Sequence, residues 1–478
     1  MERKHTATCF TGFVIGFLTF AIFSFGLPAG ILTALKHSSK MLTFGTLLMA
    51  RLATIYLYRF NAIRAAIHPF SFLLGLAEGA LFQSLVLSCI TVSFAQPFPL
   101  NPSFILATAA LLAGGLIALL KLKNSAIGYA VAVYLFLIPA GMVFAGNLKT
   151  IVKPPLLKKC YDIDGKGLQK IFTYPDCLTG KHPNICKQMF ETGTVYDVAY
   201  HEKTRRIIAT GRESGLLLLL KGNGQPVKAI NTGLFLNFIT YNRYKDVFYI
   251  SARAPGRLIE LDPETGKIRN APLSHLGLAF QRGCLRHEGR TLLYISDATN
   301  VIALHNFDDK SEKLHHIPAF SLIFPYDVKC LDGTVAISIG LQTPIFSETL
   351  WLLDADNAFK PLHSFRSLFP LYDLVADDGI LYAASPANGR IYAFDADTLE
   401  IKRRYKAPRG VRSIDINSKK KVLYAGSFSS GKIVKIDIRT GKFLKEWNVG
   451  PLLRNIEFAP ESGRLFAAGQ CGVFELME

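Results

Sequence analysis

The sequence predicts two kinds of structure in one chain: an all-β seven-bladed propeller at the C-terminal end and an all-α polytopic membrane domain before it. Two observations carry this. Between Tyr196 and Phe458 one short pattern recurs seven times: a Tyr, Leu or Arg, then a small polar residue, then an apolar β-former. The intervals between the central residues are 40, 40, 50, 46, 40 and 42, the length of one propeller blade. The second observation is composition. Residues 1–150 hold only two acidic residues, Glu2 and Glu78, against ten Lys and Arg, within long apolar runs.

The membrane half comes first in the chain. Apolar runs at about 9–35, 41–58, 69–95, 103–120 and 126–146 each approach the ~20 residues of a spanning helix. The run at 41–58 is interrupted by Arg51, whose charge costs a few kcal/mol at the bilayer centre, so four or five spans are expected. Glu78 lies near the middle of the third run, and Arg51 is its natural partner in an intramembrane pair that holds helices together. The Lys and Arg flanking the runs divide almost evenly and do not set the orientation.

Residues 151–194 are read as a linker carrying a propeller-closing strand and a cysteine loop, and 195–478 as the propeller. Blade six shows the strand scheme most clearly. Arg412–Ile416 alternates polar and apolar residues, and the polar turn Asn417–Lys420 leads into a second strand at Lys421–Ala425. A third strand follows at Lys432–Ile438, then the Arg439-Thr440-Gly441 turn and an outer strand at Lys442–Trp447. Helical spacing of apolar residues is absent from these segments. After Gly472–Leu476 the chain ends without an outer strand for the last blade. Leu168–Phe172 supplies a candidate, closing the ring and removing two open sheet edges.

The units resemble the YVTN type of β-propeller repeat. The likeness rests on Ile391-Tyr392-Ala393-Phe394-Asp395, on Ile436-Asp437-Ile438-Arg439-Thr440-Gly441-Lys442 and on Val422-Leu423-Tyr424-Ala425. It spans roughly 195–478 and implies a fold rather than an activity.

Six of the eight cysteines fall after the last apolar run. An even number there suggests disulfides and an extracytoplasmic propeller. Cys177–Cys186, flanking a Pro-containing loop, is the first expected bridge, and Cys160–Cys471, near the closing blade, is the second.

Candidate function concentrates where the inner strands start, at one mouth of the central channel. The repeat places Asp197, Asn237, Asp327, Asp373 and Asn455 there, beside Tyr196, Tyr326, Tyr372, Arg412 and Arg454. Three carboxylates and two amides form an oxygen set suited to calcium, although no cofactor is expected. The arginines suit an anionic substrate or a peptide carboxylate. A polar residue recurring blade after blade also fits a structural role, bonding the backbone of its neighbours. The propeller half carries 44 Lys and Arg against 34 Asp and Glu, densest at Arg403–Arg404 and Lys419–Lys421, which reads as solvated turns. No nucleic-acid module, Gly-x-Ser-x-Gly elbow, nucleotide loop or zinc spacing occurs. The expected function is therefore binding, with a membrane-anchored propeller docking a protein or envelope ligand. The alternative is a lactonase-like or other metal-dependent hydrolase at the channel mouth.

Overall fold

A computed structural model describes residues 156–478 apart from 181–182, 192, 254–255, 271–279, 297–300, 317–323 and 342–347. The apolar runs of residues 1–150, with Arg51 and Glu78, lie outside the described residues. Among the described residues no helix is long and apolar enough to cross a membrane.

Seven four-stranded antiparallel sheets form the propeller. Their inner strands are Val195–His201, Leu236–Asn242, Phe280–Arg286, Phe324–Cys330, Leu374–Asp377, Val411–Asn417 and Leu453–Ala459. In six blades the strands follow in chain order from channel to rim. The seventh is completed from upstream: Leu168–Thr173 pairs antiparallel with Gly472–Leu476, setting Leu168 opposite Leu476 and Thr173 opposite Gly472. The closing strand expected from the sequence is thus in place.

The third blade departs from expectation. Its repeat motif, Leu276–Leu278, falls outside the described residues, and its inner strand starts at Phe280. Three residues are too few to fix a register. The ladder with Thr291–Ser296, which aligns Cys284 with Leu293 and Arg286 with Thr291, decides it.

Burial follows position in the blade. All of Val195–His201 is buried, as are the five leucines of Leu216–Leu220, whereas the outer strand Pro226–Asn231 is largely exposed. Middle strands are covered by neighbouring blades on both faces and therefore lose the polar alternation of a half-exposed sheet. Between blades one and two, Ile208, Leu217 and Leu219 meet Phe248, Ile250 and Ile259.

Polar contacts tie each blade to the next. In the turn before the outer strand of blade six, Asp437 Oδ1 accepts the Thr440 N–H at 2.6 Å and its hydroxyl at 2.8 Å, and Gly441 takes φ +77°. Asp262 and Gly266 repeat this turn in blade two. An arginine of the preceding blade then grips the turn. Arg206 donates to the carbonyls of Pro263 and Glu264 at 2.6 and 2.5 Å, and Arg403 to those of Ile438 and Arg439 at 2.9 and 2.5 Å. Much of the dense basic clusters is engaged in this way, since Lys420 pairs with Glu478 and Lys421 with Asp377. Between blades one and two, His201 meets Thr204 at 2.7 Å and Asp246 at 2.9 Å. Burial opposes the Asp246 charge, but hydrogen bonds from Tyr241, Lys203 and His201 outweigh it and hold its pKa well below the ordinary carboxylate range.

Two disulfides are present. Cys160–Cys471 ties the segment before the closing strand to the last blade across 311 residues of sequence. Cys284–Cys330 joins the inner strands of blades three and four. The expected Cys177–Cys186 bridge is not formed. These two buried cysteines sit in and beside the short helices Tyr174–Thr179 and Pro183–Cys186, within an apolar cluster that includes Phe172, Met189 and Phe190. Cys186 donates to the Tyr174 carbonyl at 3.5 Å. A hydrogen bond to Cys186, then burial, holds the Cys177 thiol well above its ordinary pKa. The loop is held by packing and short helices, so no cross-link is needed to order it.

Candidate functional site

Successive residues of a strand face opposite ways, and at the channel mouth this separates two layers of side chains. The polar members of the repeat turn into the seams between blades. Asp197, Asn237, Asp327, Asp373, Ser413 and Asn455 are all 1–3% exposed.

Their partners are backbone groups of the same and the next blade. Asp197 accepts the N–H of Val198 at 2.9 Å and that of Ile239, in blade two, at 2.7 Å. Asp327 accepts Val328 N–H and, from blade five, Leu374 N–H, both at 2.9 Å. Asp373 accepts Ile414 N–H of blade six at 2.9 Å and lies 3.0 Å from the Ser413 hydroxyl. Ser413 in turn accepts Ile456 N–H of blade seven at 3.0 Å. Asn455 links the last blade to the first, donating its side-chain amide to Asp197. At Asn237 it is the backbone carbonyl that accepts, taking the Thr210 hydroxyl at 3.0 Å.

These carboxylates therefore point into separate seams rather than toward one centre. A calcium ion would need their oxygens about 2.3–2.6 Å from a common point, whereas here the oxygens receive backbone N–H donors. Among the described residues no group of three or more His, Cys, Asp or Glu stands where it can hold a metal ion. Asp415 repeats the clasp two residues along, accepting Ile416 N–H at 2.8 Å and Phe458 N–H at 2.6 Å. Burial pushes its pKa up to about 6, against the pull of those two donors. Its spacing from Ser413 was the only sign of it in the sequence.

The other layer consists of rings and guanidiniums. Tyr196, Phe238, Tyr326 and Tyr372 form a buried cluster. Ring centroids lie 5.3 Å apart for Tyr196 and Phe238, 6.3 Å for Phe238 and Tyr326, and 4.3 Å for Tyr326 and Tyr372. Arg412 donates from Nε to the Tyr326 hydroxyl at 2.7 Å, and its guanidinium lies 5.0 Å from the Phe428 ring. Arg454 stacks at 4.6 Å on Phe428 and 5.4 Å on Tyr196. A third guanidinium, Arg212, lies 4.5 Å over Tyr196 and 5.0 Å over Phe235. It follows the second strand of blade one and has no counterpart in the repeat, so sequence reasoning missed it.

Arg412 and Arg454 are half-buried, and among the described residues no carboxylate lies within ion-pair distance of either. Burial works against the Arg412 charge, yet Tyr326, Tyr196 and Tyr372 hold its pKa above the ordinary value. Arg454 is the opposite case: burial, then the charges of Arg412 and Arg212, brings its pKa down to about 10. Arg454 Nε and Glu213 Oε2 are buried in this sector with no hydrogen-bond partner among the described residues. The mouth thus offers guanidiniums stacked on aromatic rings, Arg454 the poorly compensated one, an arrangement suited to an anion.

No family model matches the chain, and no curated protein matches it. Among solved structures it is similar to a streptogramin B lyase, with 13% identity, a TM-score of 0.50, and coverage of 59% of this chain and 93% of that one. It is likewise similar to virginiamycin B lyase from Staphylococcus aureus, with 12% identity, a TM-score of 0.50, and coverage of 60% and 95%. At such identities the likeness is one of fold.

Proposed function

We propose that this chain is a membrane-anchored propeller that binds a protein or envelope ligand at the channel mouth, acting as a scaffold or sensor. The observation that carries the reading is Arg454, which stacks on Phe428 and Tyr196 beside Arg412 and Arg212 and, among the described residues, has no carboxylate within ion-pair distance. Arg454 is harder to keep charged than an ordinary arginine, and an anionic ligand beside it favours the charged form. Residues 1–150 serve as the membrane anchor, 151–194 as the linker that closes the ring and 195–478 as the propeller, in a multi-pass cell-membrane protein. The propeller faces the extracytoplasmic space, which the two disulfides support. The YVTN-type reading of the repeats stands on the Asp437–Gly441 turn and its relatives.

An enzyme acting at the same mouth is the second reading. It has in its favour that similar solved structures are described as lyases. Against it stands the commitment of Asp197, Asp327 and Asp373 to backbone donors.

A photo-crosslinking residue at Phe369, which is 37% exposed between blades four and five, tests the binding reading in intact cells. Discrete adducts are expected from Phe369, absent from Lys419 at the opposite end of blade six, and lost when Arg412 and Arg454 are both changed to Gln. Equal yields at the two positions, or adducts indifferent to the arginines, would defeat the proposal. For the side of the membrane, Lys419→Cys should react with an impermeant maleimide in intact cells. Protection until lysis would place the propeller in the cytoplasm.

A further inference from the structure

The chemistry of the ligand can be taken further, on the premise that the mouth is a binding site. We infer that it takes a free carboxylate with a hydrogen-bond donor beside it, as at the C-terminus of a peptide whose last side chain is apolar or aromatic.

Three features converge on that class. The first is charge. Arg212, Arg412 and Arg454 come from adjacent blades one, six and seven, so their guanidiniums form one sector rather than a ring. Arg412 and Arg454 share the Phe428 face at 5.0 and 4.6 Å, and Arg212 and Arg454 share Tyr196 at 4.5 and 5.4 Å. A planar anion meets guanidinium forks two bonds at a time, and Arg454 Nε is still unpartnered.

The second feature is Glu213. Its Oε2 is buried without a partner, and its charge acts on Arg454. An acceptor-only oxygen in that place repels phosphate or sulfate, which at neutral pH offers little donor capacity and more negative charge. It welcomes a ligand that carries an N–H next to its anion. The end of a peptide has that pairing: the carboxylate lies against the arginines and the last amide N–H against Glu213.

The third is the floor. Tyr196, Phe238, Tyr326 and Tyr372 are buried against one another, with Arg412 over Tyr326 and Tyr372 and Arg212 and Arg454 over Tyr196. Phe235 and Phe428, both half-buried, are left to meet an apolar last side chain.

Two sources share this chemistry, the C-terminus of a protein partner and a single N-acyl amino acid. Calorimetry on the full chain in detergent, with acetyl-Gly-Ala-Phe as free acid, the same peptide as C-terminal amide, acetyl-Phe and inorganic phosphate, tests the class and separates the sources. The free acid should bind, with the amide and phosphate each weaker by at least about tenfold, the scale of one charge-assisted hydrogen bond. Arg454→Gln should remove at least about tenfold of the free-acid affinity. Arg454→Lys, which keeps the charge without the fork, should fall between and serves as well if the Gln variant folds poorly. Glu213→Gln should weaken the peptide and strengthen phosphate. Stronger binding of the tripeptide than of acetyl-Phe assigns the site to a protein terminus, and equal binding assigns it to an acyl amino acid. Equal affinity for acid and amide, tighter binding of phosphate, or no binding of the free acid overturns the inference. Should that happen while the Phe369 adducts persist, the carboxylate class fails and the binding function stands.

Discussion

Two sets of side chains leave the same strands at the channel mouth, one residue apart, and reach opposite chemical ends. Asp197, Asp327, Asp373, Ser413 and Asn455 turn into the seams, where backbone donors or neighbouring clasp side chains meet them. Tyr196, Tyr326, Tyr372, Arg412 and Arg454 turn to the channel. The seam set recurs because every blade must be fastened to the next. The channel set breaks its own pattern, with tyrosine giving way to arginine in blades six and seven. In this propeller repetition marks the fastening, and departure from repetition marks the place where a ligand is expected.

The sharpest way to break that comparison is to remove one member of each set. Asp327→Ala strands the N–H groups of Val328 and Leu374 in a buried seam. Each costs about 1–3 kcal/mol, so urea unfolding should show a loss of roughly 2–6 kcal/mol. Arg454→Gln, one layer away, should change stability by less than about 1 kcal/mol, as for a residue outside the fastening. If the two variants were equally destabilising, the division between layers would be false.

Next in size is the ring closure. Replacing Cys160 and Cys471 together by Ser should cost about 2–5 kcal/mol, since that bridge closes a very long loop in the unfolded chain. Proteolysis should then release the closing strand Leu168–Thr173 first. Loss of equal size with cleavage elsewhere would mean that the bridge acts on the whole ring rather than on its last blade.

A smaller effect separates Asp415 from the other clasps. Its folded pKa is raised to about 6, so the native state keeps a proton that the unfolded chain gives up near pH 4. Its contribution is fully present below the unfolded value and is lost as pH rises through about 6. Urea unfolding of the wild type and Asp415→Asn across pH 4–7 should therefore show the difference moving in favour of the Asn variant as pH rises. A constant difference would mean that Asp415 is ionised throughout. A further small change is expected from Tyr326→Phe. It removes the 2.7 Å bond from Arg412, for about 1 kcal/mol in the same assay.

Local chemistry made much of this fold legible. Alternation and Asp-x-x-Thr-Gly turns such as Asp437–Gly441 identify strands within a few residues of one another. The missing outer strand after Leu476 and the unassigned Leu168–Phe172 segment fit each other because a sheet edge demands a partner. The structural role of the recurring polar residue was likewise open to view, since a residue kept in six of the seven repeats, with Gly277 the exception, points to a need shared by the blades.

By itself, then, the sequence determined the number of blades and the closing strand, because strand period and turn chemistry act over a few residues. The tertiary structure decided the rest. It brought Arg212 and Glu213, which belong to no repeat, beside Arg454, and it joined Cys284 to Cys330 while leaving Cys177 and Cys186 unbridged. It also sent Asp197 to Ile239 rather than to a shared cation. Each of these depends on how one blade is rotated against the next, set by the twist and packing of side chains forty or more residues apart. No short-range pattern encodes that rotation.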